Sequence, residues 1–129
     1  MTEKHARVLV VEDDPDVRRL VQLVLEPVGE VIGVPDVYQA LAVLQCERFD
    51  VIVLDLIFPG ASGFDLMERL AVLDATSRVV ILTGLASDVA MRRARLLGAH
   101  AFVTKPFDID VLVTTVRSAA SVGRHALTA

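Results

Sequence analysis

Acidic, hydroxyl and basic side chains closely follow four of the apolar runs in this sequence. Glu12 and Asp13 follow the first run, Asp55 the third, Thr83 the fourth and Lys105 the fifth. Clustered carboxylates are unfavourable unless a cation lies among them, and hard oxygen ligands with open coordination positions suit Mg²⁺. A carboxylate nucleophile, a metal ion, an ammonium group and a hydroxyl are the working parts of phosphoryl transfer through an aspartyl phosphate.

These side chains act together only if the fold brings the ends of the apolar runs together. Three of the runs are continuous β-branched or leucine segments without polar alternation, typical of strands buried on both faces of a parallel sheet. The predicted strands are residues 8–11, 31–34, 51–54, 79–82 and 101–103. Amphipathic patterns predict helices at about 16–26, 37–47, 64–73, 87–97 and 109–121. Five βα units in this order predict a single-domain α/β fold with a doubly wound parallel sheet.

The predicted sheet also places the polar residues. In an open parallel sheet, ligands bind beyond the carboxyl ends of the strands, so the residues that follow four of the strands are expected at one edge. The second strand ends in Gly33-Val34-Pro35 and offers no obvious chemistry. Helix capping explains Asp14, because Pro15 follows it at the first helical position. Gly98 is expected to end a helix.

The composition excludes several classes of protein. Hydrophobic residues make up 53% of the 129 residues and the mean hydropathy is +0.55, which excludes intrinsic disorder. No apolar run approaches the roughly 20 residues of a membrane span. A net charge of −4 and the absence of tryptophan argue against whole-chain attraction to DNA or anionic membranes and against base stacking. We expect a cytoplasmic protein, with its one cysteine, Cys46, a small buried hydrophobe.

Four short motifs occur in order at the ends of predicted strands. They are VVEDDP at residues 10–15, LDLIFPG at 54–60, LTG at 82–84 and KPF at 105–107. Together they resemble the receiver domain of bacterial two-component response regulators, over about residues 6–121, with residues 1–5 and 122–129 as tails. The resemblance implies a flavodoxin-like (βα)5 fold with strand order 2-1-3-4-5. It also implies a phosphorylation-dependent signalling switch that catalyses only its own phosphorylation and dephosphorylation.

The resemblance assigns a role to each member of the acidic group. Asp55 resembles the phosphoacceptor, which receives a phosphoryl group from the phosphohistidine of a sensor histidine kinase or histidine phosphotransfer protein. Asp13 resembles the direct Mg²⁺ ligand, and Glu12 the residue that holds the ion through water. The main-chain carbonyl of Ile57 falls where the family uses a backbone ligand.

The resemblance extends to the last two strands. Thr83 and Lys105 resemble the residues that hold the phosphoryl oxygens, and the peptide bond between Lys105 and Pro106 is expected to be cis. Thr83 and Phe102 resemble the pair that moves on phosphorylation and repacks the fourth helix, the fifth strand and the fifth helix. The family often has tyrosine at this place, so Phe102 lacks a hydroxyl contact.

Two surface features deserve an interpretation of their own. Arg92, Arg93 and Arg95 form a basic face on the fourth helix. A solvated helix face is the simpler interpretation, and a docking surface for a partner or a second copy is the alternative. Ile57 and Leu85 lie two residues after Asp55 and Thr83, at positions that the resemblance implies flank the solvent side of the phosphate. Apolar groups there are expected to position attacking water poorly. A long-lived phosphoryl-aspartate is therefore expected.

Other functions fit parts of the pattern. A haloacid-dehalogenase-type phosphatase needs a second aspartate two residues after the nucleophile, where this chain has Ile57, and it needs a cap domain. An FMN carrier of the flavodoxin type needs phosphate-binding amides after the first strand, where the acidic residues 12–14 would repel phosphate. A phosphate-independent pseudo-receiver that serves as an interaction module is the alternative that stays open.

The partners are expected to be proteins. Residues 122–129, which follow the last predicted helix, are too few for a DNA-binding domain, so no direct DNA or membrane binding by this chain is expected. The sequence is interpreted either as a stand-alone receiver that binds a downstream protein or as part of a larger regulator with a fused output domain. Phosphorylation-dependent homodimerisation is left open.

Overall fold

Strands and helices alternate along the chain in the computed structural model. It describes residues 6–57, 62–73, 76–84 and 87–128, with side chains described as far as Ser121. The strands are β1 (Ala6–Val11), β2 (Gly29–Val34), β3 (Val51–Leu54), β4 (Arg78–Thr83) and β5 (Ala99–Thr104). The helices are α1 (Pro15–Val24), α2 (Val37–Cys46), α3 (Gly63–Leu73), α4 (Asp88–Leu96) and α5 (Ile109–Thr128).

The five strands form one parallel sheet in the order β2-β1-β3-β4-β5. β1 lies between β2 and β3, so that Val11 is opposite both Val34 and Leu54 at the carboxyl ends. β4 pairs with β3 on one side and with β5 on the other. The predicted doubly wound α/β fold with strand order 2-1-3-4-5 is confirmed.

Helices cover both faces of the sheet. On one face, Leu9, Ile52 and Ile81 belong to a core that also contains residues of α2, α3 and α4. On the other face, Val10 and Val53 belong to a second core with residues of α1 and α5. Successive residues of a strand point to opposite faces, so a strand with two buried faces has no polar alternation.

Two predicted features of helix ends are confirmed, namely the Asp14 cap at the start of α1 and the glycine that follows α4. The Asp14 side chain caps α1 by accepting hydrogen bonds from the main-chain N–H groups of Asp16, at 2.9 Å, and Val17, at 3.2 Å. Pro15 is the first residue of α1. Gly98 follows α4 with a φ of +102°, a left-handed conformation that favours glycine.

Other boundaries differ from the predicted ones. β2 begins at Gly29 rather than 31, because Gly29 pairs with Ala6, and a Cβ at residue 29 would lie 2.0 Å from the Ala6 carbonyl oxygen. α1 ends at Val24 rather than 26, since Pro27 disfavours a helical residue before it. α5 runs to Thr128 rather than 121, so the predicted tail after 121 is helical in its backbone.

Cys46 is exposed, so the prediction of a buried cysteine is wrong. It is the last residue of α2, whose buried positions are Val37, Ala40 and Leu44. Cys46 lies off this stripe, which explains why an apolar pattern around it did not indicate burial. None of the helices in the described part of the chain is both long enough and apolar enough to span a membrane.

Candidate functional site

Glu12 and Asp55 lie close together because they follow β1 and β3, which are neighbouring strands of the sheet. Glu12 continues β1, and its main-chain N–H donates to the Val34 carbonyl oxygen at 3.1 Å. Asp55 follows β3, and its N–H donates to the Val11 carbonyl oxygen at 3.3 Å. The parallel pairing therefore extends to both residues and places them side by side at the carboxyl edge of the sheet.

Lys105 joins the two carboxylates from the far edge of the sheet. Its Nζ donates to Glu12 Oε1 at 2.6 Å and to Asp55 Oδ2 at 2.8 Å. Its main-chain N–H donates to the Thr83 carbonyl oxygen at 3.0 Å, which fixes the start of the segment after β5. The Lys105–Pro106 bond is cis, as the resemblance implied. Lys105 thus contacts groups from β1 and β3 and is held by β4.

Burial shapes the electrostatics of this group. Glu12 and Asp55 are 3% and 8% exposed, whereas Asp13 is exposed. Burial raises the pKa of Glu12, and the hydrogen bonds from Lys105 and from the Asp14 N–H oppose that rise only in part. Burial alone would lower the pKa of Lys105, but its hydrogen bonds to Asp55 and Glu12 together outweigh burial and raise it. The lysine is therefore held in its charged form between two acids.

The acidic group fits a hard divalent cation. Carboxylate oxygens of Glu12, Asp13 and Asp55 lie within 4.8 Å of one another. Three carboxylates against the single ammonium of Lys105 leave a surplus of negative charge, and carboxylate oxygens are the ligands that Mg²⁺ prefers. Ile57 lies beside them, with its N–H donating to Asp55 Oδ1 at 3.2 Å and its side chain 56% exposed.

The other two predicted site residues lie on β4 and β5. Thr83 is 3% exposed, ends β4 and is opposite Thr104 in the sheet. Phe102 is opposite Ile81 and is half-buried against the core on the α4 side. The guanidinium carbon of Arg95 lies 5.1 Å from the centroid of the Phe102 ring. Of the remaining predicted residues, Phe58, Pro59, Gly60 and Leu85 lie outside the described residues.

Two residues that the sequence did not indicate contact the main chain at or directly beside the two buried acids. Arg18 donates from Nη1 to the Glu12 carbonyl oxygen at 2.8 Å. Gly63, the first residue of α3, donates its N–H to the Leu56 carbonyl oxygen at 3.0 Å, and a Cβ there would lie 2.2 Å from the Asp55 carbonyl oxygen. The sequence shows only that a glycine directly precedes the predicted helix 64–73.

Two arginines of the basic face of α4 make contacts with other side chains of the same domain. The guanidinium carbon of Arg93 lies 4.3 Å from the centroid of the Phe64 ring, and its Nη2 is 3.8 Å from Glu68 Oε2. Arg95 lies over Phe102, as described above. Two of the three arginines therefore contact aromatic side chains of their own chain, which neither predicted interpretation included.

Comparison with known proteins identifies the family to which this fold belongs. A family model described as the response regulator receiver domain matches residues 8–117. Sporulation initiation phosphotransferase F of Bacillus subtilis is 31% identical over 114 residues, which cover 88% of this chain and 92% of that protein. The C4-dicarboxylate transport transcriptional regulatory protein DctD of Pseudomonas aeruginosa is 32% identical over 126 residues, which cover 97% of this chain and 27% of that protein.

Solved structures agree with this assignment. The BeF3-activated DrrB receiver domain superposes with a TM-score of 0.85 at 27% identity, covering 92% of this chain and 99% of that chain. The chemotaxis protein CheY4 of Vibrio cholerae superposes with a TM-score of 0.83 at 29% identity, covering 90% and 99%. Fold and family together define a signalling domain of two-component systems. This chain belongs to the response regulator receiver domain family.

Proposed function

We propose that Asp55 accepts a phosphoryl group from a phosphohistidine donor and that this modification switches the conformation of the chain. The observation that carries the proposal is the Lys105 bridge, with Nζ bonded to both Asp55 Oδ2 and Glu12 Oε1. Asp55 directly follows a fully buried strand. A carboxylate there is costly without a cation, so its position beside the Lys105 ammonium supports a chemical role.

Transfer forms a bond between a carboxylate oxygen of Asp55 and phosphorus, and it breaks the bond between phosphorus and the donor imidazole nitrogen. The electron pair of the broken bond leaves with the imidazole. Lys105, 2.8 Å from Asp55 Oδ2, is placed to neutralise an oxygen of a phosphoryl group attached to this carboxylate. The Ile57 N–H, 3.2 Å from Oδ1, orients the carboxylate.

Glu12, Asp13 and Asp55 would hold Mg²⁺, with the Ile57 carbonyl as a further ligand. When bound, Mg²⁺ neutralises charge on the phosphoryl group during transfer. Glu12 is already oriented for this task, because it accepts hydrogen bonds from the Asp14 N–H at 3.1 Å and from Lys105 at 2.6 Å. Asp13, which is exposed, supplies a carboxylate on the solvent side.

The switch is assigned to Thr83 and Phe102. Thr83 binds a phosphoryl oxygen, and the Phe102 ring turns inward as the α4–β5–α5 region repacks. Thr83 is opposite Thr104, two residues after Phe102, and its carbonyl oxygen accepts from the Lys105 N–H. A movement at the end of β4 is therefore linked through the sheet to the strand that carries the ring.

The donor is proposed to be a sensor histidine kinase or a histidine phosphotransfer protein, acting in the cytoplasm. Two relatives are named as transcriptional regulatory proteins, and this chain spans 27% of DctD and 49% of CseB of Streptomyces coelicolor. A fused output domain is proposed by that analogy. Phosphotransferase F, of which the chain covers 92%, favours the other output, a stand-alone receiver that binds a protein partner.

The test is intact-mass analysis after incubation with Mg²⁺ and acetyl phosphate. The wild-type chain is expected to gain one phosphoryl group, whereas Asp55→Ala and a sample containing a chelator gain none. Asp110→Asn, a change at an exposed carboxylate in the first turn of α5, is the matched control and is expected to react like the wild type.

A wild-type chain that folds but gains no phosphoryl group, and binds no Mg²⁺, contradicts the proposal. The function would then be that of a phosphate-independent interaction module. Modification of Asp55→Ala to the same extent as the wild type would instead show that the acceptor is another residue.

A further inference from the structure

Helix α4 carries two arginines whose guanidinium groups lie over aromatic rings of neighbouring elements. Arg95 Cζ is 5.1 Å from the Phe102 centroid on β5, and Arg93 Cζ is 4.3 Å from the Phe64 centroid on α3. Both distances are within the range of a cation–π interaction. Among the described residues, Arg92 of the same helix has neither an ion pair nor a ring contact.

We propose that Arg95 is a positioning residue that holds the Phe102 ring beneath α4 in the unphosphorylated protein. The inference rests on the proposed function, in which this ring moves when Asp55 is phosphorylated. Phe102 lies on the edge strand β5 and is half-buried, while Arg95 is exposed. The exposed guanidinium therefore lies over a ring that is itself only partly buried at the edge of the sheet.

This geometry gives Arg95 an effect on the switch although it contacts no reacting atom. Inward movement of the ring takes it away from the exposed Arg95 side chain, so the contact is lost in the phosphorylated form. A contact made in one conformation only shifts the equilibrium toward that conformation. Arg95 consequently weakens the response of the chain to phosphorylation.

The experiment measures the affinity of the full chain for beryllium fluoride, a phosphoryl mimic, in the presence of Mg²⁺. Arg95→Gln is expected to bind about two- to fivefold more tightly than the wild type, the factor that corresponds to an exposed cation–π contact. Arg92→Gln is the matched control and is expected to bind like the wild type. Arg95→Lys retains a cation and is expected to restore part of the wild-type affinity.

A second readout follows the ring itself. In protein labelled with 4-fluorophenylalanine, the Phe102 ¹⁹F resonance is identified by its loss in Phe102→Leu. In unliganded Arg95→Gln it is expected to shift toward its position in the beryllium fluoride adduct. A side chain that serves only stability would not produce this shift. Arg95→Met, which keeps the aliphatic stem, is the second variant if Arg95→Gln loosens α4.

The outcomes separate the two hypotheses. Equal affinities of the wild type and Arg95→Gln, with an unchanged Phe102 resonance, overturn the role of Arg95 and leave the phosphorylation proposal intact. If the wild type forms no adduct, the phosphorylation proposal fails. The unliganded resonance then still decides the contact, because an unchanged signal in Arg95→Gln overturns it and a shifted signal supports it.

Discussion

Gly63 is the residue at which α3 meets the main chain of the candidate phosphoacceptor. A Cβ at this position would lie 2.2 Å from the Asp55 carbonyl oxygen and 2.9 Å from Leu56 Cα. Both are main-chain atoms, so they cannot move away without moving the Asp55 carboxylate. We expect Gly63→Ala to lower the free energy of unfolding by about 1–3 kcal/mol. We also expect it to slow phosphorylation by acetyl phosphate, measured as a mass time course.

The matched control is Gly84→Ala. Among the described residues, no heavy atom would lie within 4 Å of a Cβ at residue 84, so this variant is expected to be about as stable as the wild type in urea unfolding. If Gly63→Ala is as stable and reacts as fast as the wild type, the close approach of α3 to Asp55 does not constrain the site.

Ile57 bears on the lifetime of the phosphoryl group. Its side chain is 56% exposed and lies two residues after Asp55, so it presents an apolar surface to water near the reacting carboxylate. We expect Ile57→Asn to speed dephosphorylation by roughly tenfold or less, because an amide positions water without supplying a general base. Decay of the phosphorylated mass with time measures this effect.

Ile57→Val, which keeps the position apolar, is expected to decay like the wild type. The predicted long lifetime is wrong if the wild type already loses its phosphoryl group quickly and chelation of Mg²⁺ does not slow the loss. The second residue behind this prediction, Leu85, lies outside the described residues and enters only through the sequence.

The site residues that the sequence could predict are those that act through their side chains. Glu12, Asp55 and Lys105 follow apolar strands, where a charged group has little structural reason to be, and the structure joins all three. Arg18 and Gly63 act through main-chain carbonyl groups, so neither residue type at its position reveals the contact. Such contacts require the relative placement of two elements to be known.

At the scale of elements, Arg7 joins β1, β2 and the end of α2. It donates to Glu30 Oε1 at 2.6 Å, to Glu47 Oε1 at 2.5 Å and to the Arg48 carbonyl oxygen at 2.8 Å. Its guanidinium carbon is 4.7 Å from the centroid of the Phe49 ring. We expect Arg7→Met to lower the free energy of unfolding in urea by about 1–2 kcal/mol, because several modest contacts are lost together.

Arg7 lies at the amino end of β1, whereas the candidate site lies beyond the carboxyl end. Phosphorylation of folded Arg7→Met by acetyl phosphate should therefore proceed at the wild-type rate. Arg19→Gln, a change at an exposed arginine of α1, should leave both stability and phosphorylation unchanged. A loss of stability in Arg19→Gln equal to that in Arg7→Met would attribute the effect to net charge rather than to these contacts.

The existence and order of the elements could be predicted because strands buried on both faces, such as β3 and β4, consist mainly of consecutive apolar residues. The residues at which the elements begin and end could not be predicted. β2 starts at Gly29 because its partner Ala6 demands a close approach there, and that depends on register rather than on hydrophobicity. α5 passes Gly123, since a single glycine disfavours a helix by only about 1 kcal/mol.

For the whole molecule, metal binding and folding stability are linked. Mg²⁺ bound only by the folded chain, at one hundred times its dissociation constant, raises the free energy of unfolding by about 2.7 kcal/mol. We expect Asp13→Asn to lose most of this gain. In metal-free buffer the same variant is expected to be at least as stable as the wild type, because it removes one of three neighbouring carboxylates. Urea unfolding with Mg²⁺ and with a chelator measures both effects.

Asp88→Asn, at an exposed position in the first turn of α4, is the matched control. It should respond to Mg²⁺ like the wild type. An equal gain from Mg²⁺ in Asp13→Asn and the wild type would show that this carboxylate is not a ligand.

The order in which the chain supplies the charges of the site has a consequence for its synthesis. β1 and β3 bring Glu12 and Asp55 together within the first half of the chain, but Lys105 comes only after β5. A nascent chain that has paired β1 with β3 buries two acids without their cation, which opposes premature closure of that half. The first half of the chain is therefore stabilised by the last βα unit, which supplies the Lys105 ammonium to Glu12 and Asp55 in addition to its packing against the sheet.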